Sequence, residues 1–264
     1  MCIICEKDIS ELIESEKLYC SNCPNLKEIP KELVNLKKLV CHTCPLLNPK
    51  GIPKELVNLI VICFSNCQNI KEIPKELVNL KELYCTDCPN ITEIPKELTG
   101  LDVLSCFNCS LTHIPKELVN LKKLNCGLCN IKEIPKEFIN LEKLWCWGCS
   151  ITCIPNTLIN LTYIYCDNCH LLTHISKELI NLRHLECAGC PNLIDAPLHS
   201  LNDDLKLMIE GNYQRYRKQH CSILINTILE ELIQRTWEPK RAMNWCWDEE
   251  EKKFMGDIFQ KEQN

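Results

Sequence analysis

Apolar residues recur along most of this chain in one phrase, L-x-x-L-x-C-x-x-C, followed by I-P-x-x-L-x-x-L. The clearest copies are LKKLVCHTC (36–44), LKELYCTDC (80–88), LDVLSCFNC (101–109), LKKLNCGLC (121–129) and LEKLWCWGC (141–149). Nine copies place their second cysteine at Cys23, Cys44, Cys67, Cys88, Cys109, Cys129, Cys149, Cys169 and Cys190, a period of 20–23 residues. A repeat of that length predicts a solenoid, in which each unit buries its apolar face only against its neighbours. Within a unit, Leu39 and Cys41 alternate as on a short strand, so both point inward. Leu47, Ile52, Leu56 and Leu59 supply the other inward positions of the coil.

This pattern resembles the leucine-rich repeat, L-x-x-L-x-L-x-x-N/C-x-L, over roughly residues 10–201. Cys44 holds the Asn/Cys position, and Cys41 stands where Leu is usual. The resemblance implies an α/β solenoid: a horseshoe with a parallel, concave β-sheet, backed by short helical or irregular segments. On that reading residues 1–14 form a degenerate N-terminal cap, 15–201 hold about nine repeats, and 202–264 form a helical C-terminal cap or docking segment.

The back of each repeat carries P-K-E-L-V-N-L almost verbatim at 30–36, 53–59 and 74–80. Pro30 suits the first turn of a short helix, where its missing N–H is not needed, and Glu32 would lie near the positive end of that helix. The residue before the next Leu is Asn35, Asn58, Asn79, Gly100, Asn120, Asn140, Asn160 or Asn181. Seven Asn and one Gly predict a left-handed backbone there. The alternative is a duplicated Asn with no conformational role.

Twenty-three cysteines, mostly in C-x-x-C pairs, also suit zinc. Three features argue for core cysteine instead. Every pair coincides with repeat positions. The third copy reads LIVICFSNC, which puts Phe64 at the first cysteine site and Cys63 on the variable position. A ring can replace a small buried hydrophobe but not a zinc thiolate. Gly is also rare near the pairs, although tight zinc knuckles often use it. The expectation is no metal and no cofactor, with a zinc-binding structural protein as the alternative and a thiol-redox protein as a remote one.

Residues 202–264 differ in character. CSILINTILEELIQ (221–234) has helical apolar spacing. Pro239 follows, among Trp237, Trp245 and Trp247. The W-x-P-x-R-x-x-x-W-C-x-D ending resembles that of Cys-rich, short-repeat proteins of amoebal giant viruses, which are mimivirus-like.

The net charge of –5 has no long single-sign block, so neither nucleic acid nor an anionic membrane is indicated. There is no N-terminal apolar leader and no membrane-length apolar run, which predicts an intracellular protein with reduced thiols. The seven histidines have no Ser or Cys partner at a familiar spacing, and no G-x-S-x-G or P-loop occurs, so no enzyme is expected. His113 and His174 take a solvent-facing slot that is Glu28, Glu72, Glu93 and Glu133 elsewhere.

The variable strand positions carry the information about binding. They form three columns, and seven of the nine aromatics in the repeat region fall in them. Trp145, Trp147, Tyr163 and Tyr165 come from consecutive repeats and predict one exposed patch. Phe107 lies two repeats away, Tyr84 lies further off, and Lys123 and Lys143 stand beside the patch. Clustered exposed aromatics on a rigid scaffold mark a protein-binding surface. The competing explanations are strand propensity alone, or cover by the chain's own tail through Trp237 or Trp245.

Overall fold

The computed structural model describes residues 8–197 except Pro49, together with Ile4, Ile209, Glu210 and Asn212. By backbone contacts the chain divides into Met1–Tyr213 and Gln214–Asn264, and all that follows concerns the first unit. Most of the expected C-terminal segment, including Trp237, Trp245 and Trp247, lies outside the described residues.

The Leu-x-Cys alternation builds one strand per repeat. These are β1 (Lys17–Ser21), β2 (Lys38–His42), β3 (Val61–Ser65), β4 (Glu82–Thr86), β5 (Val103–Ser105), β6 (Lys123–Asn125), β7 (Lys143–Trp145), β9 (Tyr163–Tyr165) and β11 (His184–Glu186). They pair in parallel, in chain order, in one nine-stranded sheet. The register repeats without slip: Leu39 partners Leu18 and Ile62, and Leu144 partners Leu124 and Ile164. A slip of one residue would turn every Leu and Cys out into water, so burial enforces the register. Two further short strands, β8 (Cys153–Ile154) and β10 (His174–Ile175), pair in parallel elsewhere on the coil.

The core is a stack of identical layers. Leu39, Cys41, Cys44, Leu47, Leu56 and Leu59 are fully buried, as are their equivalents. Phe64 is fully buried at the first cysteine site, while Cys63 stands half-exposed on the sheet face. From Cys44 onward each second cysteine has a bonding role beyond filling space. Its thiol donates to the strand carbonyl one repeat earlier: Cys109 Sγ to Cys85 O at 2.8 Å, Cys129 to Cys106 at 3.0 Å, Cys149 to Cys126 at 3.1 Å and Cys169 to Cys146 at 3.1 Å. The ladder gives each of these buried carbonyls a donor; Cys126 O and Cys146 O also accept from the turn N–H of Cys129 and Cys149, at 3.2 and 3.3 Å. The last rung is Cys190 Sγ to Cys166 O at 3.1 Å, and beyond it Asn212 Nδ2 donates to Leu193 O at 3.1 Å and Cys190 O at 3.5 Å.

Burial pushes the Cys88 thiol up to about 11 and the Cys187 thiol up to about 12. Hydrogen bonding with Cys149, and then burial, pushes Cys126 up as well. Among the described residues no three of His, Cys, Asp and Glu converge as a metal ion would require.

Two local expectations are corrected. The Pro-Lys-Glu segments are not helices. Leu33 N bonds Pro30 O at 3.3 Å and Leu36 N bonds Leu33 O at 3.1 Å, so the back of the repeat is a succession of single turns. Among the described residues of 8–197 the one helical element is a 3-10 turn, Ile9–Glu11, capped by Asp8; outside that range the described positions Ile4, Ile209, Glu210 and Asn212 are α-helical. The architecture is therefore a β-solenoid and not an α/β one. Single turns suffice because a repeat this short leaves only 16–18 residues between one strand of the sheet and the next.

The Asn column before each Leu is not left-handed either. Positive φ falls instead on the residue before each second cysteine: Asn22, Thr43, Asn66, Asp87, Asn108, Leu128, Gly148, Asn168 and Gly189. That bend turns the chain out of the strand. It aims the N–H of Asn108 at Gly127 O (2.9 Å) and that of Leu128 at Trp147 O (2.8 Å), so the parallel bonding continues past the strand. The Asn before Leu acts through its side chain. Asn58 Nδ2 donates to Val34 O at 2.9 Å, Asn120 to Thr99 O at 2.8 Å and Asn160 to Ile139 O at 2.8 Å, each one repeat back. Gly100 simply lacks this rung.

Candidate partner-binding surface

On the outer face of the nine-stranded sheet the variable columns stand side by side, because in-register residues of parallel strands point the same way. Trp145 and Tyr165 are register partners, as are Lys143 and Tyr163. The rings form two rows. In one, Trp145 contacts Tyr163 (centroids 5.3 Å, planes 41° apart) and Tyr163 stacks on His184 (4.7 Å, 10°). In the other, Phe107 stacks on Trp147 (5.4 Å, 28°) and Trp147 meets Tyr165 at 6.4 Å.

Phe107 and Trp147 are two repeats apart, and Gly127 lets them touch. A Cβ at Gly127 would lie 2.6 Å from Trp147 Nε1, so the indole occupies the space a side chain would need. Five of the six expected aromatics thus come together. Tyr84 does not join them; its hydroxyl instead donates to Glu82 Oε2 at 3.1 Å. His184 joins the cluster although the sequence reading did not place it there. Its position in the same column as Tyr163, one repeat on, was the available signal.

The rings are half-buried and not largely accessible, because each covers part of the next. Carboxylates border the cluster on one side. Asp167 pushes the Tyr165 hydroxyl above its usual range, and burial followed by the charge of Glu186 does the same for Tyr163. Glu186 is itself paired with His184 Nε2 at 2.5 Å. Lys123 is exposed on the other side, and Lys143 is half-buried. The surface therefore offers rings with a negative border and a positive border.

A second exposed row was not anticipated. Val34, Val57, Val78, Val119, Ile139, Ile159 and Ile180 project from the back of the coil beside the Asn side-chain ladder. The V-N-L and I-N-L phrases carried that signal.

Comparison with solved structures is decided by the coil itself. The leucine-rich repeat domain of the type III effector XopL superposes with a TM-score of 0.62 at 18% identity, over 74% of this chain and 77% of that one. The fold is that of leucine-rich-repeat proteins. A leucine-rich-repeat protein of Leptospira interrogans matches with a TM-score of 0.51 at 26% identity, over 70% of this chain and 50% of its own. The functional domain of InlJ from Listeria monocytogenes, described as including a cysteine ladder, matches at 0.51 and 19%, over 72% and 54%. The chain thus spans about half the length of these last two. No protein-family model matches it, and no curated protein does. In this leucine-rich-repeat fold the thiol ladder occupies the Asn/Cys position of the repeat. No helix among the described residues is long and apolar enough to cross a membrane.

Proposed function

We propose that the chain is a non-enzymatic recognition module that holds a protein partner on the exposed face of its nine-stranded sheet. Phe107, Trp145, Trp147, Tyr163 and Tyr165 form the centre of the contact, and Tyr84 flanks it. The observation that carries this reading is the pair of ring rows on a scaffold locked by repeated register. Trp and Tyr supply large contact area at small entropic cost and dominate interface energetics. The bordering carboxylates and lysines make a polar rim around an aromatic centre, the usual anatomy of an interface.

Several finer readings belong to the same proposal. Residues 1–14 and 202–264 close the two ends of a repeat array spanning 15–201. The tail caps the coil or recruits a second protein, which would make the chain an adaptor. The protein works inside a cell, in the setting of an amoebal giant-virus infection. The W-x-P-x-R motif and the thiol-rich core support these readings.

The test is capture from host lysate by the wild type, by Trp145→Ala/Trp147→Ala, and by a control altered on the back face (Val119→Ser). A captured protein is then purified and its Kd measured against all three. Loss of binding in the aromatic variant alone supports the sheet face. Equal binding by all three, or loss in the back-face control alone, moves the site elsewhere.

A further inference from the structure

Away from the sheet face, Cys153 on β8 and His174 on β10 are direct register partners, and His174 in turn bridges Asp195 in parallel. Adjacent parallel strands lie about 4.8 Å apart, and in-register residues share a face. A thiol, an imidazole and a carboxylate therefore stand on successive rungs. Cys153 and His174 are exposed and Asp195 is half-buried.

Thr152 and Thr173 set the hydrogen bonds around the imidazole. Thr173 Oγ1 donates its one proton to Thr152 O at 3.0 Å. With that proton on Thr152 O, its 2.8 Å contact with His174 Nδ1 runs from Nδ1–H to the hydroxyl oxygen, and this is the tautomer taken below. Nε2 is left with a free lone pair, the form a proton acceptor requires. Asp195 is held by Lys177 at 2.7 Å.

The other described thiols are shielded. Seventeen are buried, and burial pushes the half-exposed Cys63 thiol up. Cys153 is the exposed one among the described residues. It also lies at the end of a groove of about 1430 Å³ that runs past Ile94, Pro95, Ile114 and Ile134, which leaves room for a substituent.

We propose that Cys153 is a covalent modification site that exchanges with low-molecular-weight disulfides of the glutathione class, with His174 as its base. The thiol proton passes to His174 Nε2. The thiolate sulfur attacks one sulfur of R–S–S–R, a new S–S bond forms, and the old one breaks. The leaving thiolate takes the electron pair and recovers the proton from the imidazolium. The products are the Cys153 mixed disulfide and one R–SH, with no further oxidant needed.

The test uses the full reduced chain and oxidised glutathione, following the mass of the Cys153 peptide from pH 6.5 to 8. The native rate at Cys153 should exceed that of the same residue in guanidinium by about tenfold or more, since a proton acceptor one rung away assists the attack. His174→Gln, with an unchanged circular dichroism spectrum, should lose that advantage and show the steep pH–rate slope of an ordinary thiol. Thr173→Val, which frees Nδ1, should lose part of it, whereas His113→Gln, in the same slot three repeats before His174, should lose none. A native rate at or below the unfolded one, or His174→Gln matching wild type at every pH, overturns the assignment.

Discussion

Trp145 is the register partner of Tyr165, yet its ring lies against Tyr163, with centroids 5.3 Å apart. Trp147 makes the same diagonal step to Tyr165, at 6.4 Å. Long side chains reach the diagonal neighbour two residues away across a pair of strands. The rings thereby shield each other's faces.

That arrangement separates folding from binding. A ring pair of this kind is worth about 0.5–1.5 kcal/mol beyond its burial. Trp145→Ala should therefore lower folding stability by about 1 kcal/mol, read as a small fall in Tm. The same change should weaken partner binding by about 2 kcal/mol or more, roughly thirtyfold in Kd. A Tm collapse with unchanged binding per folded molecule would show the rings to be structural.

Gly127 provides a sharper probe, because it touches no partner through a side chain. Gly127→Leu must displace the Trp147 indole and so separate it from Phe107. Expected are a changed tryptophan emission spectrum and weakened partner binding, with the far-UV spectrum retained. Unchanged emission would mean that the indole does not rest over Gly127.

The two Asn columns give opposite predictions. At Asn120 the backbone is ordinary and the side-chain bond to Thr99 O is what matters. Asn120→Ala and Asn120→Val should both cost about 1 kcal/mol, within a few tenths of each other. At Asn108, with φ at 54°, Asn108→Val should cost clearly more than Asn108→Gly. Leu128 sits in the same strained conformation, so Leu128→Gly should stabilise by up to about 1 kcal/mol. Denaturant midpoints of the five variants decide all three comparisons.

Buried neutral thiols make stability depend on alkaline pH. A free thiol ionises near about 8.5, whereas Cys88 and Cys187 are held up to about 11 and about 12 in the fold. Below about 8.5 both states are protonated and the contribution is fully present. Above it the unfolded chain releases protons that the folded one keeps, so stability falls as pH rises towards 11–12. Each such thiol costs about 1.4 kcal/mol per pH unit in that window. Thermal melts should show a large drop in Tm between pH 7.5 and 10, and Cys187→Ala should flatten it slightly. A Tm constant to pH 10 would mean the thiols are not buried as neutral groups.

Core chemistry gives a further check. Cys126→Asp buries a carboxylate with no partner and should cost several kcal/mol, while Cys126→Val should be tolerated far better. If the two variants melt alike, Cys126 does not face the core.

Much of the architecture was written in local residue order. Leu39 and Cys41 alternate with period two, and Phe64 in a cysteine slot marks that slot as core. Such inward positions depend only on strand geometry and on which side chains water rejects, and both can be read from a repeat without knowing its neighbours. The columns of Trp145, Trp147, Tyr163 and Tyr165 follow from the same alternation. Where a conformation depended on contacts between repeats, order alone misled. Asn before Leu suggests a left-handed bend, but the repeat behind offers a carbonyl to its amide, and the bend falls at Asn108 and Leu128 because the strand's hydrogen bonding must continue there. Pro30 suggests a helix start, but the next strand begins too soon for a helix to form. The meeting of Phe107 with Trp147 over Gly127, and of Cys153 with His174 across β8 and β10, required the stacking distance between coils. That distance is a property of the packed solenoid, and no single repeat contains it.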